Sequence, residues 1–136
     1  MASIPLDELE LEDAWIDGDE SAAWRSASAH TPEHGARSTG SSLLEVGRGC
    51  RLPRHTDSAE EVIVVLAGQA EVTVGDSPMA VAANGVALVP KDVPHEVRNA
   101  GDEPLRFLAL YAGTDVVTRY ESPVQPGGDR ERKPLG

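Results

Sequence analysis

The chain lacks several features that define other classes of protein. With a single cysteine, Cys50, it cannot form an internal disulfide, and no apolar run is long enough to span a membrane. The first residues lack the basic start and the continuous apolar stretch of a secretory signal peptide. We therefore expect a cytoplasmic protein in which Cys50 is a small packed residue, with a reactive thiol as the alternative.

Basic side chains are also scarce. The sequence has 12 Lys and Arg against 23 Asp and Glu, which gives a formal net charge of -11. A field of this sign repels nucleic acids and anionic membranes, so neither is expected as a partner. Eight of the acidic residues fall within the first twenty positions, where no Lys or Arg occurs, and this predicts a solvated N-terminal arm.

Long helical periodicity is missing as well. The crossovers of a parallel sheet would need helices of about 10–15 residues, so the sequence does not favour a parallel sheet. The chain has instead short Val-rich runs, separated by turns that contain many of its 13 Gly and 10 Pro. From residue 42 onward these runs are SLLEV, EVIVVLA, AEVTV, MAVAA, GVALVP, HEVRN and LRFLALY. Because β-branched residues suit a pleated, half-buried surface, the pattern predicts an all-β sandwich or barrel.

The composition divides the chain into three parts. Residues 1–40 are predicted to form an acidic arm and a loop, which pack on the barrel or swap between two barrels. Residues 41–115 carry the strand pattern and are predicted to form the barrel itself. Residues 116–136 are charged and rich in Pro and Gly, and we expect them to be an extended tail.

Three potential metal ligands occur in the segment HTDSAEE. On an extended strand alternate side chains share a face, so His55, Asp57 and Glu61 point the same way. The wholly apolar run that follows Glu61 leads this face into a core. Carboxylates that approach a core need a cation to offset their desolvation, and the segment therefore predicts a metal site.

His95 supplies a fourth ligand from the segment PKDVPHEVRN. Taken alone, a histidine at the start of a strand is unremarkable. With His55, Asp57 and Glu61 it makes a set of two imidazoles and two carboxylates, which suits one divalent ion of Fe, Mn, Ni, Co or Zn. The identity of the ion stays open.

The spacing of these residues resembles the first conserved motif of the cupin superfamily. That motif runs Gly, five residues, His-x-His, three or four residues, Glu, six residues and Gly. This sequence has Gly49, His55, Asp57 in place of the second His, Glu61 and Gly68. The resemblance implies that Gly68 ends a strand at a tight turn, where no Cβ is tolerated.

The second cupin motif, Pro-x-Gly-x-x-His-x-x-x-Asn, is similar to the segment that contains His95. Pro90, His95 and Asn99 match it, whereas Asp92 stands where Gly is usual and Gly85 precedes Pro90 one residue closer than in the commonest form. Asn99 is expected to hold a turn or strand through backbone hydrogen bonds. The two motifs resemble those of a small single-domain microbial cupin.

This resemblance implies a fold, an assembly and a site. The fold is a double-stranded β-helix, or jelly-roll barrel, of six to eight strands, and the assembly is a homodimer. The metal ion lies inside one mouth of the barrel, where a small-molecule ligand or substrate reaches it.

Asp57 departs from the usual set of three His and one Glu. A second carboxylate brings the formal charge of a divalent site to zero and favours the ferric over the ferrous state. Because Asp is shorter than His, it can also fail to reach the ion, which leaves His55, Glu61 and His95 as a two-His, one-carboxylate triad. A third interpretation is that the site has lost its metal.

Three functions are consistent with the predicted fold and metal ligands. The first is a metal-dependent dioxygenase or related oxidoreductase, the second a non-catalytic cupin that binds or senses a small ligand or metal, and the third a sugar or small-acid isomerase or lyase. Tyr111 and Arg51 are candidate catalytic residues, Arg51 because it shares strand parity with His55. Inward-facing apolar residues predict either an apolar cavity or plain barrel core, namely Ile63, Val65 and either Val72 or Val74.

Overall fold

A computed structural model describes residues 2–136, in which twelve strands and two short 3₁₀ turns, Leu6–Glu8 and Pro32–His34, account for the regular structure. The strands are β1 (Glu12–Ile16), β2 (Asp19–Ser28), β3 (Gly40–Val46), β4 (Arg51–Asp57), β5 (Glu61–Ala67), β6 (Gln69–Val74), β7 (Ser77–Ala82), β8 (Val86–Val89), β9 (His95–Asn99), β10 (Leu105–Tyr111), β11 (Thr118–Val124) and β12 (Asp129–Arg132). Across this described part of the chain, no helix is long and apolar enough to cross a bilayer.

The strands form a nearly closed barrel of two sheets. One sheet contains β1, β2, β3, β10, β5 and β8, and the other contains β7, β6, β9, β4, β11 and β12. A short parallel contact between β2 and β4, at Ala22 and Arg51, joins them, and the other pairings are antiparallel. The predicted all-β jelly-roll barrel is therefore confirmed.

The barrel core follows from strict alternation along the central strands. In β10, Leu105, Phe107 and Ala109 are fully buried while the residues between them are only partly covered. Ile63 and Val65 of β5 and Val72 of β6 join the same hydrophobic core. Full burial of one large apolar side chain contributes about 1.5–3 kcal/mol, so these residues stabilise the barrel.

The sheet extends beyond the segment 41–115 that the sequence predicts for the barrel. On the N-terminal side β2 pairs with β3, and β1 pairs with β2. On the C-terminal side β11 pairs with β4, and β12 pairs with β11. The arm and the tail thus contain paired strands, because the outer strands of the barrel offer backbone groups that need partners. Swapping of the arm between two barrels stays a prediction.

A β-bulge interrupts β4 between Leu52 and His55. Leu52 pairs with Val97 of β9 and His55 pairs with His95, so β4 has one residue more than β9 between these two pairs. An extra residue reverses which side chains face inward beyond it. Leu52 and His55 therefore lie on the same side of the sheet although their numbers differ in parity.

Two loops at the end of the barrel are held by the residues of the cupin motifs. Gly68 has φ +81°, and a Cβ there would lie 2.7 Å from the Pro104 carbonyl oxygen, so the predicted turn without a Cβ is confirmed. The Asn99 side-chain amide donates to the carbonyl oxygens of Val46 (3.0 Å) and Glu103 (2.9 Å), and this confirms its predicted backbone-holding role.

Candidate metal centre

Four buried side chains converge inside the barrel near one end of β4. His55 and Asp57 come from β4 beyond the bulge, Glu61 begins β5, and His95 begins β9 directly opposite His55. One nitrogen or carboxylate oxygen from each lies within 4.8 Å of the others, and none of the four is more than 4% exposed. The four residues predicted as ligands are thus brought together, and they could hold one metal ion.

Both histidines are oriented by the backbone of their own strand. Nδ1 of His55 donates to the Pro53 carbonyl oxygen at 2.7 Å, and Nδ1 of His95 donates to the Val93 carbonyl oxygen at 2.9 Å. A carbonyl oxygen only accepts, so Nδ1 carries the proton in each ring. The neutral ring then turns a bare Nε2 towards the centre, which is the usual state of a metal-binding histidine.

The centre contains more acceptors than protons when its imidazoles are neutral. Nε2 of His95 lies 3.1 Å from Glu61 Oε1 and 3.1 Å from Asp57 Oδ2. Since Nδ1 of His95 already holds a proton, a hydrogen bond from Nε2 to Glu61 requires the charged imidazolium. The cluster therefore needs one added positive charge, which a proton or a metal cation can supply.

The pKa shifts express the same deficit of positive charge. Burial, reinforced by the neighbouring His95, lowers the pKa of His55 to about 4. Burial also acts to lower the pKa of His95, but the carboxylates of Asp57 and Glu61 outweigh it and raise that pKa to about 10. Burial raises the pKa of Glu61, while contacts with His95, His55 and Thr118 overcome burial and lower that of Asp57. The His95 imidazole is thus the one that takes up a proton and balances the negative charge of the carboxylates.

Asp57 has one oxygen engaged and one directed at the centre. Thr118 Oγ1 donates to Asp57 Oδ1 at 2.6 Å. Asp57 Oδ2 lies 3.1 Å from His95 Nε2 and 3.7 Å from His55 Nε2. Although Oδ2 lies as near to His95 Nε2 as Glu61 Oε1 does, Oδ2 has no hydrogen-bond partner among residues 2–136. The hydrogen bond of His95 Nε2 is made to Glu61. A buried carboxylate oxygen without a donor fits a metal ligand.

A cavity of about 430 Å³ reaches the cluster from one side. His55 and Glu61 belong to its lining, whereas Asp57 and His95 do not. The wall also includes the ring of Trp24 stacked on Tyr120, with centroids 5.4 Å apart. The rest of the lining is Leu9, Glu10, Glu12, Ser26, Ala27, Ser28, Ser42, Leu44, Leu52, Tyr111, Thr118, Arg132, Lys133 and Pro134. A small molecule in the cavity would therefore meet the cluster at His55 and Glu61.

Tyr111 and Arg51, the two candidate catalytic residues, lie in different surroundings. Tyr111 pairs with Glu61 across β10 and β5 and lines the cavity. Burial and the nearby carboxylates raise the pKa of Tyr111 well above its ordinary value, so its hydroxyl is a proton donor and not a base at neutral pH. Arg51 lies outside the cavity because the β4 bulge breaks the parity with His55, and it pairs instead with Asp19 (2.6 Å) and Glu96 (2.7 Å).

The apolar residues considered for a cavity wall lie elsewhere. Ile63, Val65 and Val72 are fully buried in the barrel core, and Val74 is partly buried against it. None of them lines the cavity among the residues that the structure describes. The interpretation of these four residues as barrel core is the one that agrees with their positions.

Sequence reasoning missed the part of the site that the terminal strands supply. Thr118 and Tyr120 of β11 lie opposite Asp57 and His55 in the sheet, and Trp24 comes from β2. The segment TRYESPV does alternate inward and outward residues, which is a strand signal that its Pro and charges obscured. Its pairing with β4, about sixty positions earlier, leaves no local trace in the sequence.

The fold and the site together define a small all-β barrel with a buried cluster of two histidines and two carboxylates. Residues 42–111 match the family model described as the cupin domain. The chain therefore belongs to the cupin domain family, as its two motifs indicate. Strands β1, β2, β11 and β12 lie outside the matched segment.

Related proteins are similar over limited stretches. The xanthan biosynthesis protein XanB of Xanthomonas campestris pv. campestris is 35% identical over 82 residues, which cover 57% of this chain and 17% of that protein. The chain thus spans less than a fifth of the curated relatives that it matches.

Among solved structures, the cupin domain of Schizosaccharomyces pombe Cnp3 superposes with a TM-score of 0.66 at 22% identity, covering 80% of this chain and 72% of that chain, and this likeness concerns the fold alone. Bacillus subtilis oxalate decarboxylase, studied for its Mn(II) centres, gives a TM-score of 0.60 at 25% identity over 74% of this chain and 28% of that chain.

Proposed function

We propose that this cupin holds one divalent metal ion between His55, Asp57, Glu61 and His95, and acts there on a small organic molecule that enters through the cavity. The observation that carries the proposal is the convergence of the two histidine Nε2 atoms, Glu61 Oε1 and Asp57 Oδ2, with no cationic side chain of Lys or Arg among them. Two carboxylates with neutral imidazoles balance the charge of a divalent cation. The ion could be Fe, Mn, Ni, Co or Zn.

The reaction class that we propose is that of a dioxygenase or related oxidoreductase. A bound ion of this kind would supply Lewis-acid or redox chemistry at the inner end of the cavity. The chain's own residues would supply the rest: His55 and Glu61 would hold the ion on the cavity side, and Tyr111, which is opposite Glu61 in the sheet and lines the cavity, offers a protonated hydroxyl. The stacked rings of Trp24 and Tyr120 offer an aromatic face to a substrate, within a lining that also contains charged side chains such as Arg132.

A second candidate is a non-catalytic cupin that binds a small ligand for sensing or storage. It is favoured by the shortage of a base beside the cluster, since burial raises the pKa of Tyr111 and of Tyr120 away from the neutral range. The same shortage argues against an isomerase or lyase, because both reactions move protons through a base near neutral pH.

Oxygen consumption separates the enzyme from the binder. Protein loaded with Fe²⁺ would be mixed with catechols, flavonols and β-diketones, and O₂ uptake followed with an electrode. We expect uptake with at least one class, loss of uptake in His95→Ala, and no loss in Arg51→Ala, which alters a charged group outside the cavity. Tight binding of a compound without O₂ uptake would support the second candidate and contradict the proposed reaction class.

A further inference from the structure

We propose that Thr118 is a positioning residue that fixes Asp57 so that its Oδ2 serves as a metal ligand. The inference rests on the proposed metal site and answers a question that the sequence leaves open, whether the short Asp57 side chain reaches the ion. Its basis is the 2.6 Å hydrogen bond from Thr118 Oγ1 to Asp57 Oδ1, between two side chains that are 4% and 2% exposed.

Asp57 needs a partner from a distant part of the chain, which the histidines do not need. Each histidine is oriented by a carbonyl oxygen two residues earlier in its own segment, at Pro53 for His55 and at Val93 for His95. A carboxylate cannot use such a group, because a carbonyl oxygen has no proton to donate. The hydroxyl of Thr118 supplies the missing proton donor. Asp57 Oδ1, which accepts it, is then no longer free to compete with Oδ2 for the ion.

Backbone contacts around Thr118 hold its hydroxyl in place. Thr118 is directly opposite Asp57 in the pairing of β11 with β4. Just before it, Ser58 N donates to the Val117 carbonyl oxygen at 3.0 Å, and Val117 N donates to Ser58 Oγ at 2.8 Å. The Asp57 backbone is held from the other side, since Asp92 N donates to the Asp57 carbonyl oxygen at 2.9 Å. Both ends of the Thr118–Asp57 hydrogen bond are therefore fixed.

The consequence is that a strand outside the matched cupin segment contributes to the metal site. Thr118 lies beyond residues 42–111, in β11. With Oδ1 occupied by Thr118, Asp57 offers Oδ2 alone, and this oxygen is the one that lies 3.1 Å and 3.7 Å from the two histidine Nε2 atoms. Loss of the hydroxyl would free the carboxylate to rotate and leave Oδ1 buried without a donor.

Co²⁺ titration of the full chain tests the inference, with calorimetry for affinity and the visible absorption of Co²⁺ for coordination. Thr118→Val keeps the shape of the side chain and removes the hydroxyl, while Thr118→Ser keeps the hydroxyl. Partners of metal ligands typically contribute about 10–100-fold in affinity, so we expect a loss of that size and an altered spectrum in Thr118→Val. Thr118→Ser should restore both. Thr56→Val, the same change one residue before Asp57, is the matched control and should leave both unchanged.

A double-mutant cycle with Asp57→Ala, which removes the acceptor of the Thr118 hydroxyl, shows whether Thr118 acts through Asp57. In the Asp57→Ala background, Thr118→Val should have no further effect on Co²⁺ affinity. If Thr118→Val does not fold, Thr118→Ala replaces it with the same expected loss. Unchanged affinity and spectrum in the hydroxyl-free variant would overturn this inference alone, whereas failure of the wild-type chain to bind Co²⁺ would overturn the proposed metal site as well.

Discussion

The strand β4 contributes to two charged clusters, one on each side of its bulge, and the two clusters differ in how their charges are balanced. The outer cluster consists of Arg51 with Asp19 and Glu96, whose side chains are 27–38% exposed. The inner cluster consists of His55, Asp57, Glu61 and His95, none more than 4% exposed. Both contain two carboxylates, but only the outer one contains a permanent cation.

The difference shows what burial demands of a charged group. In the outer cluster, the Arg51 guanidinium lies between two carboxylates, and nearby solvent screens what remains. In the inner cluster the side chains are buried and no Lys or Arg takes part, so the two carboxylates are balanced only by a captured cation, either a proton on His95 or a metal ion. The outer cluster is therefore structural, and the inner one is the candidate functional site.

Removal of one inner ligand is expected to have the largest effect. His95→Ala deletes the Nε2 that lies 3.1 Å from both carboxylates, and it should lose bound metal and the rise in Tm that metal produces. For the wild-type chain that rise corresponds to about 2.7 kcal/mol at a metal concentration of 100 Kd. Calorimetric melting with and without Mn²⁺ measures it. Arg51→Ala, in the outer cluster, should keep the full rise, and its loss there would break the contrast.

The bulge predicts that Leu52 and not Arg51 faces the interior. Leu52 is 4% exposed and lines the cavity, so Leu52→Ala should lower the free energy of unfolding by about 2–3 kcal/mol, which urea denaturation measures. Arg51→Ala should cost less, because its ion pairs are partly exposed. The reverse order of the two variants would mean that β4 runs without a bulge.

The loop that holds the inner cluster contains a strained residue. Asp92 has φ +62°, a conformation that costs a non-glycine residue about 1–2 kcal/mol, and its N–H holds the Asp57 carbonyl oxygen. Asp92→Gly, which restores the residue usual in cupins, should raise stability by up to about 1 kcal/mol, since glycine also loses more entropy on folding. Thermal melting measures it. A fall in Tm would show that the Asp92 side chain has a role of its own.

The smallest effect is expected in the outer cluster and depends on pH. The Arg51 guanidinium lowers the pKa of Asp19 from 3.8 to about 2. A depressed carboxylate pKa adds stability that is present above pH 4 and is lost as the pH falls through 2. Asp19→Asn should therefore melt slightly below the wild-type chain at pH 6 and together with it near pH 2. A difference that persists at pH 2 would show that the ionised carboxylate is not its cause.

Most of the fold and the four candidate ligands follow from the sequence, for physical reasons. Alternation on β4 survives between His55 and Asp57, and a strict turn geometry fixes Gly68 and Asn99, so local spacing is enough to place them. The bulge at Pro53 and Arg54 could not be predicted in this way. The alternation of side chains is the same on each side of an inserted residue, so the local sequence does not show that the register shifts there.

The walls of the cavity could not be predicted in the same way. Thr118 and Arg132 lie in a segment whose charge, Pro and Gly resemble those of a tail, yet backbone pairing to β4 and within the terminal hairpin orders it. Such pairing depends on partners far away in the sequence, and local composition does not encode it. The sequence therefore revealed the ligands that nearby strands supply and missed the residue that orients one of them.

The metal content of the purified chain shows directly whether the buried cluster of His55, Asp57, Glu61 and His95 binds a metal ion. The protein would be incubated with Fe²⁺, Mn²⁺, Ni²⁺, Co²⁺ or Zn²⁺, desalted and analysed by inductively coupled plasma mass spectrometry. We expect about one equivalent of at least one of these metals per chain, because the buried cluster binds one cation. Less than about a tenth of an equivalent of every metal, added in an excess that outcompetes the proton held by His95, would contradict this expectation.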